Sequence, residues 1–319
     1  RHMEKQVAGD VINSIRLYRH FFGDPPFERL AVSEIMAFHG QAFPGLVHMG
    51  LSTWMNSDAW GNDVLFRAHE TAHQWWGIEV GPETYHDAWL SEGFAEYSSM
   101  MVLQALKGNG MFMDHLDKAR DRIFGNRKYI LGLAGEEAGP IIQGYRTSST
   151  KTQGDYGLII YEKGAYVLHM LRNMLLDLRS MNEDRFLGMM REYYSTYRGK
   201  EATTEDFRRI AEKYAGMDLG WFFRQWVYGT ELPEYEFTYT VTSAEDGTCS
   251  VSGRVITKGV GPDFQMYVPV EVEFSGQQRV YVRLLVDQLD YAFSLPGLPE
   301  KPKKLRLNPF ESVLAKVKQ

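Results

Sequence analysis

Two histidines spaced four residues apart with a glutamate between them, followed by a second glutamate one short segment later, restrict what this chain can build. The stretch reads His69-Glu70-Thr71-Ala72-His73-Gln74-Trp75-Trp76-Gly77, and then Trp89-Leu90-Ser91-Glu92-Gly93. On a helix, residues four apart share a face, so the imidazoles of His69 and His73 can converge on one ion, with Glu70 angled towards it. The bare motif is expected by chance in roughly 2% of chains with this histidine content, so alone it decides little. Glu92 adds weight because it falls where a second helix can start. Two histidines and one carboxylate are a common donor set of catalytic zinc, with a fourth position left for water. Zinc so held acidifies water and polarises a carbonyl, and Glu70 is placed to take the water's proton and pass it to a leaving amine. The chemistry favoured is hydrolysis of an amide.

The rest of the composition narrows the setting. A chain of 319 residues that is 44% hydrophobic can form one large domain or two ordinary ones around a packed core. With a formal charge of −6 and no run of Lys or Arg, neither nucleic acid nor an anionic membrane is expected as a partner. No stretch approaches the length of uninterrupted apolar sequence that a membrane span needs. The single cysteine, Cys249, excludes an internal disulfide and a cysteine zinc cluster. Arg1-His2-Met3 reads as the remnant of an expression tag, so the lack of a visible targeting segment carries no information about compartment.

Along the chain, apolar residues at helical spacing predict a helix over 7–22, closed by Gly23-Asp24-Pro25-Pro26. Strands are expected over 29–38 and 46–51, the metal helix over 65–76 and a second helix over 90–106. Residues 125–155 read as a long irregular connection with one short helix. Further helices are expected over 161–178, 183–197, 204–214 with Thr204 as N-cap, and 218–227. The composition changes at Leu232-Pro233. Beyond it the pattern has period two, with Asp246-Gly247 as a hairpin turn, and predicts a small β-sandwich. The expected fold class is α+β, divided into residues 1–232 and 233–319.

Some candidates stay open on residue chemistry. Tyr161 lies on the apolar face of its helix, where a tyrosine is by type a core residue. Glu96, one turn after Glu92, either accepts a hydrogen bond from a ligating imidazole or faces solvent. His39, His48 and His86 are near the site in sequence and could line it, but none has ligand spacing with the pair.

These residues resemble the gluzincin aminopeptidases, the family of aminopeptidase N and leukotriene hydrolase. The resemblance rests on His69–Gly77, on Trp89–Ala95 (W-L-S-E-G-F-A), on Tyr161-Glu162-Lys163-Gly164-Ala165 and on Phe222–Gly229 (F-F-R-Q-W-V-Y-G), in that order and spacing. It implies a thermolysin-like catalytic domain with a mixed sheet and a helical half, followed by a β-sandwich. It also implies one zinc ion on His69, His73 and Glu92, with Glu70 as general base. Tyr161 matches the tyrosine that stabilises the transition state, and Tyr156 matches a second active-site tyrosine of some members. The substrate implied is a peptide.

Two departures stand out. Where the family carries G-x-M-E-N, whose glutamate grips the substrate's free amine, this chain has His39-Gly40-Gln41-Ala42-Phe43. The acidic anchor is missing, although the backbone of Gly40, Gln41 and Ala42 can still pair with an extended substrate. The family's N-terminal β domain and C-terminal helical domain also have no counterpart. The expectation is a part of a longer polypeptide, with other domains as partners, or a pared-down relative. The leading reading is a zinc metallopeptidase with altered end-recognition, acting as an aminopeptidase or an endopeptidase. The alternative is a non-catalytic zinc-binding scaffold.

Overall fold

A computed structural model describes residues 3–55, 60–125, 138–150, 152–245 and 247–319. Helix α1 (Glu4–Phe22) buries Val7, Val11, Tyr18 and Phe22 along one stripe. The Tyr18 hydroxyl donates to the Ala68 carbonyl at 2.9 Å, which ties α1 to the helix of the histidine pair. A three-stranded sheet follows, made of β1 (Ala31–Ile35), β2 (Gln41–Phe43) and β3 (Leu46–Gly50) in the order β1-β3-β2. β1 runs parallel to β3 and β2 antiparallel to it. The predicted strand over 29–38 is therefore shorter than expected, and a separate edge strand, β2, occupies the Gln41-Ala42 segment.

After a short helix, α2 (Ser52–Met55), α3 (Asn62–Ala72) carries His69 and Glu70, with His73 as its C-cap. It starts earlier than the predicted 65–76 and ends sooner. Gln74 and Trp75 donate to carbonyls three residues back, at 3.2 and 2.9 Å, so the chain tightens and leaves the helix before Gly77. The Arg67 guanidinium is fully buried beneath α3 and bonds Asp10 of α1 at 2.6 Å.

Strand β4 (Val80–Pro82) leads to α4 (Trp89–Lys107), which is buried on nearly every side, as expected of a helix rich in apolar residues all round. Helix α5 (Asn109–Gly125), to which the sequence reading assigns no bounds although it places His115 on a helix, buries Phe112, Leu116, Ala119 and Ile123. Parts of the predicted irregular connection, 126–137 and 151, lie outside the described residues, and two short 3₁₀ turns broken at Gly144 occupy Ile141–Thr147. The predicted helix 161–178 instead opens as a π-helical turn, Gly157–Lys163, running directly into α6 (Gly164–Leu175). Helices α7 (Asp184–Tyr197), α8 (Thr204–Ala215) and α9 (Gly220–Trp226) complete the helical body, with β5 (Lys200–Ala202) pairing parallel to β4. Thr203, not Thr204, caps α8, because its side chain and that of Asp206 bond each other's backbone in a capping box. Thr204 Oγ1 is used elsewhere, donating to Asp87 at 2.9 Å.

From Glu234 the chain is almost all strand: β6 (Glu234–Ser243), β7 (Cys249–Lys258), β8 (Met266–Glu273), β9 (Arg279–Val286), β10 (Asp290–Leu298), β11 (Lys304–Leu307) and β12 (Lys316–Lys318). They form two sheets, β10-β7-β6-β12 and β11-β8-β9. β6 and β7 make the expected hairpin; Asp246 of its turn lies outside the described residues, while Gly247 has φ 83°. Inward residues of both sheets, such as Phe237, Val255, Val270 and Leu305, share one continuous hydrophobic core with Trp76, Phe94 and Leu168 of the helical body. The architecture is an α+β fold of a small mixed sheet, a helical body and a β-sandwich.

Candidate metal centre

The centre is assembled by two helices and one irregular turn. α3 presents His69 and Glu70, with His73 closing its last turn; α4 presents Glu92 in its first turn and Glu96 one turn further on. The Nε2 atoms of His69 and His73 are 3.1 Å apart, and Glu92 Oε2 stands 3.4 Å from the first and 3.2 Å from the second. His69 Nδ1 faces Glu96 Oε2 at 2.9 Å and His73 Nδ1 faces the Trp76 carbonyl at 3.0 Å. Both of those partners are acceptors only, so each ring carries its hydrogen on Nδ1 and leaves Nε2 with a lone pair. Three acceptors then point at one another, and Glu92 Oε2 is buried without a hydrogen-bond donor.

Such an arrangement fits a shared cation. Donors around a tetrahedral zinc with bonds of about 2.0–2.1 Å stand about 3.3 Å apart, which matches the observed separations. The charge balance points the same way. Burial alone disfavours positive charge at His69, yet Glu92 and Glu96 together outweigh it, so the pocket between the carboxylates favours a cation. Burial would raise Glu92, but the two imidazoles outweigh it and hold the carboxyl below the usual carboxylate range. Among the described residues, His69, His73 and Glu92 are the group able to hold a metal ion.

Glu70 is buried beside the pair, and burial raises its pKa. Its carboxyl sits against Gly40: a Cβ built on Gly40 would lie 2.2 Å from Glu70 Cδ. The Tyr161 ring stacks on His69 with centroids 5.5 Å apart and planes 4° from parallel. Burial, then the Glu92 charge, raises the Tyr161 pKa, so the phenol keeps its proton. Tyr161 is thus half-buried against the core and at the site together. Tyr156 meets the edge of the Tyr161 ring at 5.7 Å and stacks on Tyr145 at 5.0 Å. It backs Tyr161, and among the described residues it is not part of the cavity wall.

Gly93, next to Glu92, lets α4 approach the helix of Tyr161 backbone to backbone. A Cβ there would meet the Gly164 backbone and the Ile160 carbonyl at 3.0 Å. A cavity of about 890 Å³ opens over the centre, lined on one side by Gly40, Gln41 and Ala42 and on the other by α5. Of the three histidines left open by sequence, His39 lines it; His48 is bonded to Ser33 at 2.7 Å and His86 to the Ile142 carbonyl at 2.6 Å. Sequence reasoning missed Trp60, His115, Lys118 and Arg122, which also line it. The only signal in sequence was the placing of Lys118 and Arg122 one helical turn apart on α5.

The domain described as "Peptidase family M1 domain" matches residues 56–226. Curated relatives include "Aminopeptidase M1-D" of Oryza sativa subsp. japonica, 28% identical over 66% of this chain and 24% of its own length. "Probable aminopeptidase 2" of Sulfurisphaera tokodaii is 27% identical over 67% of this chain and 26% of its own length. The chain thus spans about a quarter of the length of these relatives. Among solved structures, the Legionella pneumophila aminopeptidase A complex with aspartic acid superposes over 98% of this chain and 34% of its own, with TM-score 0.72 and 17% identity, a likeness of fold. With a domain match covering more than half of its residues, the chain belongs to peptidase family M1.

Proposed function

We propose that this chain is a zinc metallopeptidase that hydrolyses peptide bonds. The observation that carries the reading is the convergence of His69 Nε2, His73 Nε2 and Glu92 Oε2 within 3.4 Å, all as acceptors, beside the Glu70 carboxyl. Zinc held by those three residues supplies Lewis acidity to a carbonyl and acidifies water. Glu70 accepts the attacking water's proton on a carboxylate oxygen and delivers it to the departing amine. The Tyr161 hydroxyl donates a hydrogen bond to the oxyanion as it forms. Glu96 and the Trp76 carbonyl hold the two imidazoles in the tautomer that turns Nε2 inward. Edge strand β2, through Gln41 and Ala42, and Gly40 just before it offer a backbone rail for an extended substrate.

With Gln41-Ala42 in place of an acidic anchor, end-recognition is altered, and cleavage within a peptide is compatible with the cleft. The proposed division into a catalytic unit over 1–232 and a β unit over 233–319 is supported by the pattern change at Leu232-Pro233 and the start of β6 at Glu234.

Replacing Glu70→Gln tests the assignment. Bound zinc, measured by mass spectrometry, stays near one per chain, while hydrolysis of a peptide panel falls by about 10³-fold or more, as the loss of a general base in a concerted site requires. Unchanged turnover would remove the proposed mechanism, and a parent protein that binds zinc but cleaves nothing would favour the scaffold reading. Cleavage of one peptide with a free and an acetylated N-terminus separates the two peptidase modes: equal rates mean internal recognition.

A further inference from the structure

We propose that the α5 wall of the cavity, with Lys118 and Arg122 on the helix and Trp60 packed beside Lys118, is a subsite for a carboxylate of the substrate. The proposal deepens the peptidase reading and rests on it. Three acidic residues line the cavity among the described residues, and each is engaged at the centre. Glu92 stands between the imidazoles, Glu96 takes the His69 Nδ1 hydrogen, and Glu70 is packed against Gly40. An ammonium group entering the cleft finds no further carboxylate among the described residues that line it. The remaining charged lining residues are both cations, Lys118 and Arg122, one turn apart on the same face of α5.

Both cations are presented in a usable way. Lys118 Nζ lies 5.0 Å above the Trp60 ring, and its ion pair with Asp114 on the preceding turn is 2.7 Å long but about half exposed on both sides. A pair of that kind contributes little and gives way readily to a ligand. Arg122 is anchored rather than loose: its Nε bonds both oxygens of Glu162 at 2.9 Å, and the Glu162 side chain is 22% exposed. A guanidinium held in that way keeps its plane fixed at the cavity wall, which suits recognition of a planar carboxylate. Trp60 is 64% exposed and is tied to α5 through its carbonyl, which meets His115 Nε2 at 3.1 Å. It offers an apolar surface to the residue that bears the carboxylate, with the ammonium of Lys118 at its face. A substrate lying along β2 and over the metal ligands thus reaches two cationic side chains on the α5 side of the cavity, each paired with a carboxylate outside the lining.

The carboxylate has two sources, a peptide's C-terminus or an acidic side chain, and binding measurements distinguish them. Zinc-loaded Glu70→Gln protein is titrated by calorimetry with four tripeptides: Ala-Ala-Ala as free acid and as amide, and Ala-Glu-Ala-amide beside Ala-Gln-Ala-amide. One carboxylate form binds about tenfold or more tightly than its neutral counterpart, the size expected of hydrogen bonds to charged groups. The preference shrinks with rising salt and collapses in Lys118→Met, with Arg122→Gln as the second variant. Equal affinity within both pairs overturns the proposal, as does a preference that survives both substitutions. Because no turnover is needed, failure to cleave any peptide would refute the peptidase reading while leaving the binding preference readable on its own.

Discussion

A single methyl group at Gly40 should uncouple catalysis from metal binding. The three heavy atoms nearest to a Cβ on Gly40 all belong to the Glu70 side chain, at 2.2, 2.3 and 2.6 Å. Carbon–carbon contact begins at about 3.5 Å, so in Gly40→Ala the carboxyl must retreat by about 1.3 Å. The backbone itself is unstrained, since Gly40 is not among the glycines with positive φ. What moves is the far end of a flexible side chain, so the fold is expected to lose little stability. A displacement of about 1 Å of a reacting group costs about 100-fold in rate, or about 2.7 kcal/mol. The assay is kcat on a peptide substrate, with zinc content and Tm measured on the same preparation. The expected outcome is a kcat down by about two orders of magnitude with zinc and Tm close to the parent. Turnover within threefold of the parent would refute the reasoning, and so would loss of zinc, because the effect is assigned to Glu70 alone. Gly50→Ala provides the contrast: its Cβ meets the Ala37 carbonyl oxygen at 2.6 Å, which is backbone, so that change should lower Tm.

Two further predictions draw on groups around the centre. Glu96→Gln keeps an acceptor near His69 Nδ1 but removes the charge that raises the ligand's basicity, so zinc affinity measured by chelator competition should fall about 10–100-fold; an unchanged affinity would deny Glu96 its supporting part. His169, buried between the Tyr97 hydroxyl and the Phe310 carbonyl, has its pKa pushed down by burial from 6.5 to about 3. Unfolding lets this imidazole charge, so the stability it contributes is full above pH 6.5 and is lost as pH falls towards 3. On the order of 2 kcal/mol should be gone by about pH 5. Denaturant titrations across that range should show the slope in the parent and a flatter one in His169→Gln; equal slopes would reject it.

What could be read from the sequence follows from how local each signal is. The histidine pair and Glu96 were legible because side chains one turn apart on a helix must share a face, whatever the tertiary structure. Whether Glu96 bonded an imidazole or faced solvent could not be decided, since that depends on how α4 is rotated against α3. The π-helical turn before α6 was invisible, because nothing in composition marks a wider hydrogen-bond register. Tyr161 looked like core by residue type, and it does pack on the core; its stacking on His69 is a long-range contact that only the family resemblance anticipated. The cap of α8 slipped by one residue because Thr203 and Thr204 are equivalent by type, and only the Asp206 and Asp87 contacts tell them apart. Helix α5 carried a readable stripe at Phe112, Leu116, Ala119 and Ile123, but its approach to the cavity is tertiary information.

The contact between Gly93 and Gly164 gives the centre an unexpected kind of ruler. The span from the carboxylate of Glu92 to the phenol of Tyr161 is set by two residues that have no side chain, each one to three positions from a residue with a proposed role. Bulk added at either glycine acts as a wedge between two rigid rods, and the error grows along both of them. Ligand and phenol then drift apart together, a fault that no substitution at Glu92 or Tyr161 can repair. Selection on this centre should therefore weigh as heavily on those two empty positions as on Glu92 and Tyr161 themselves.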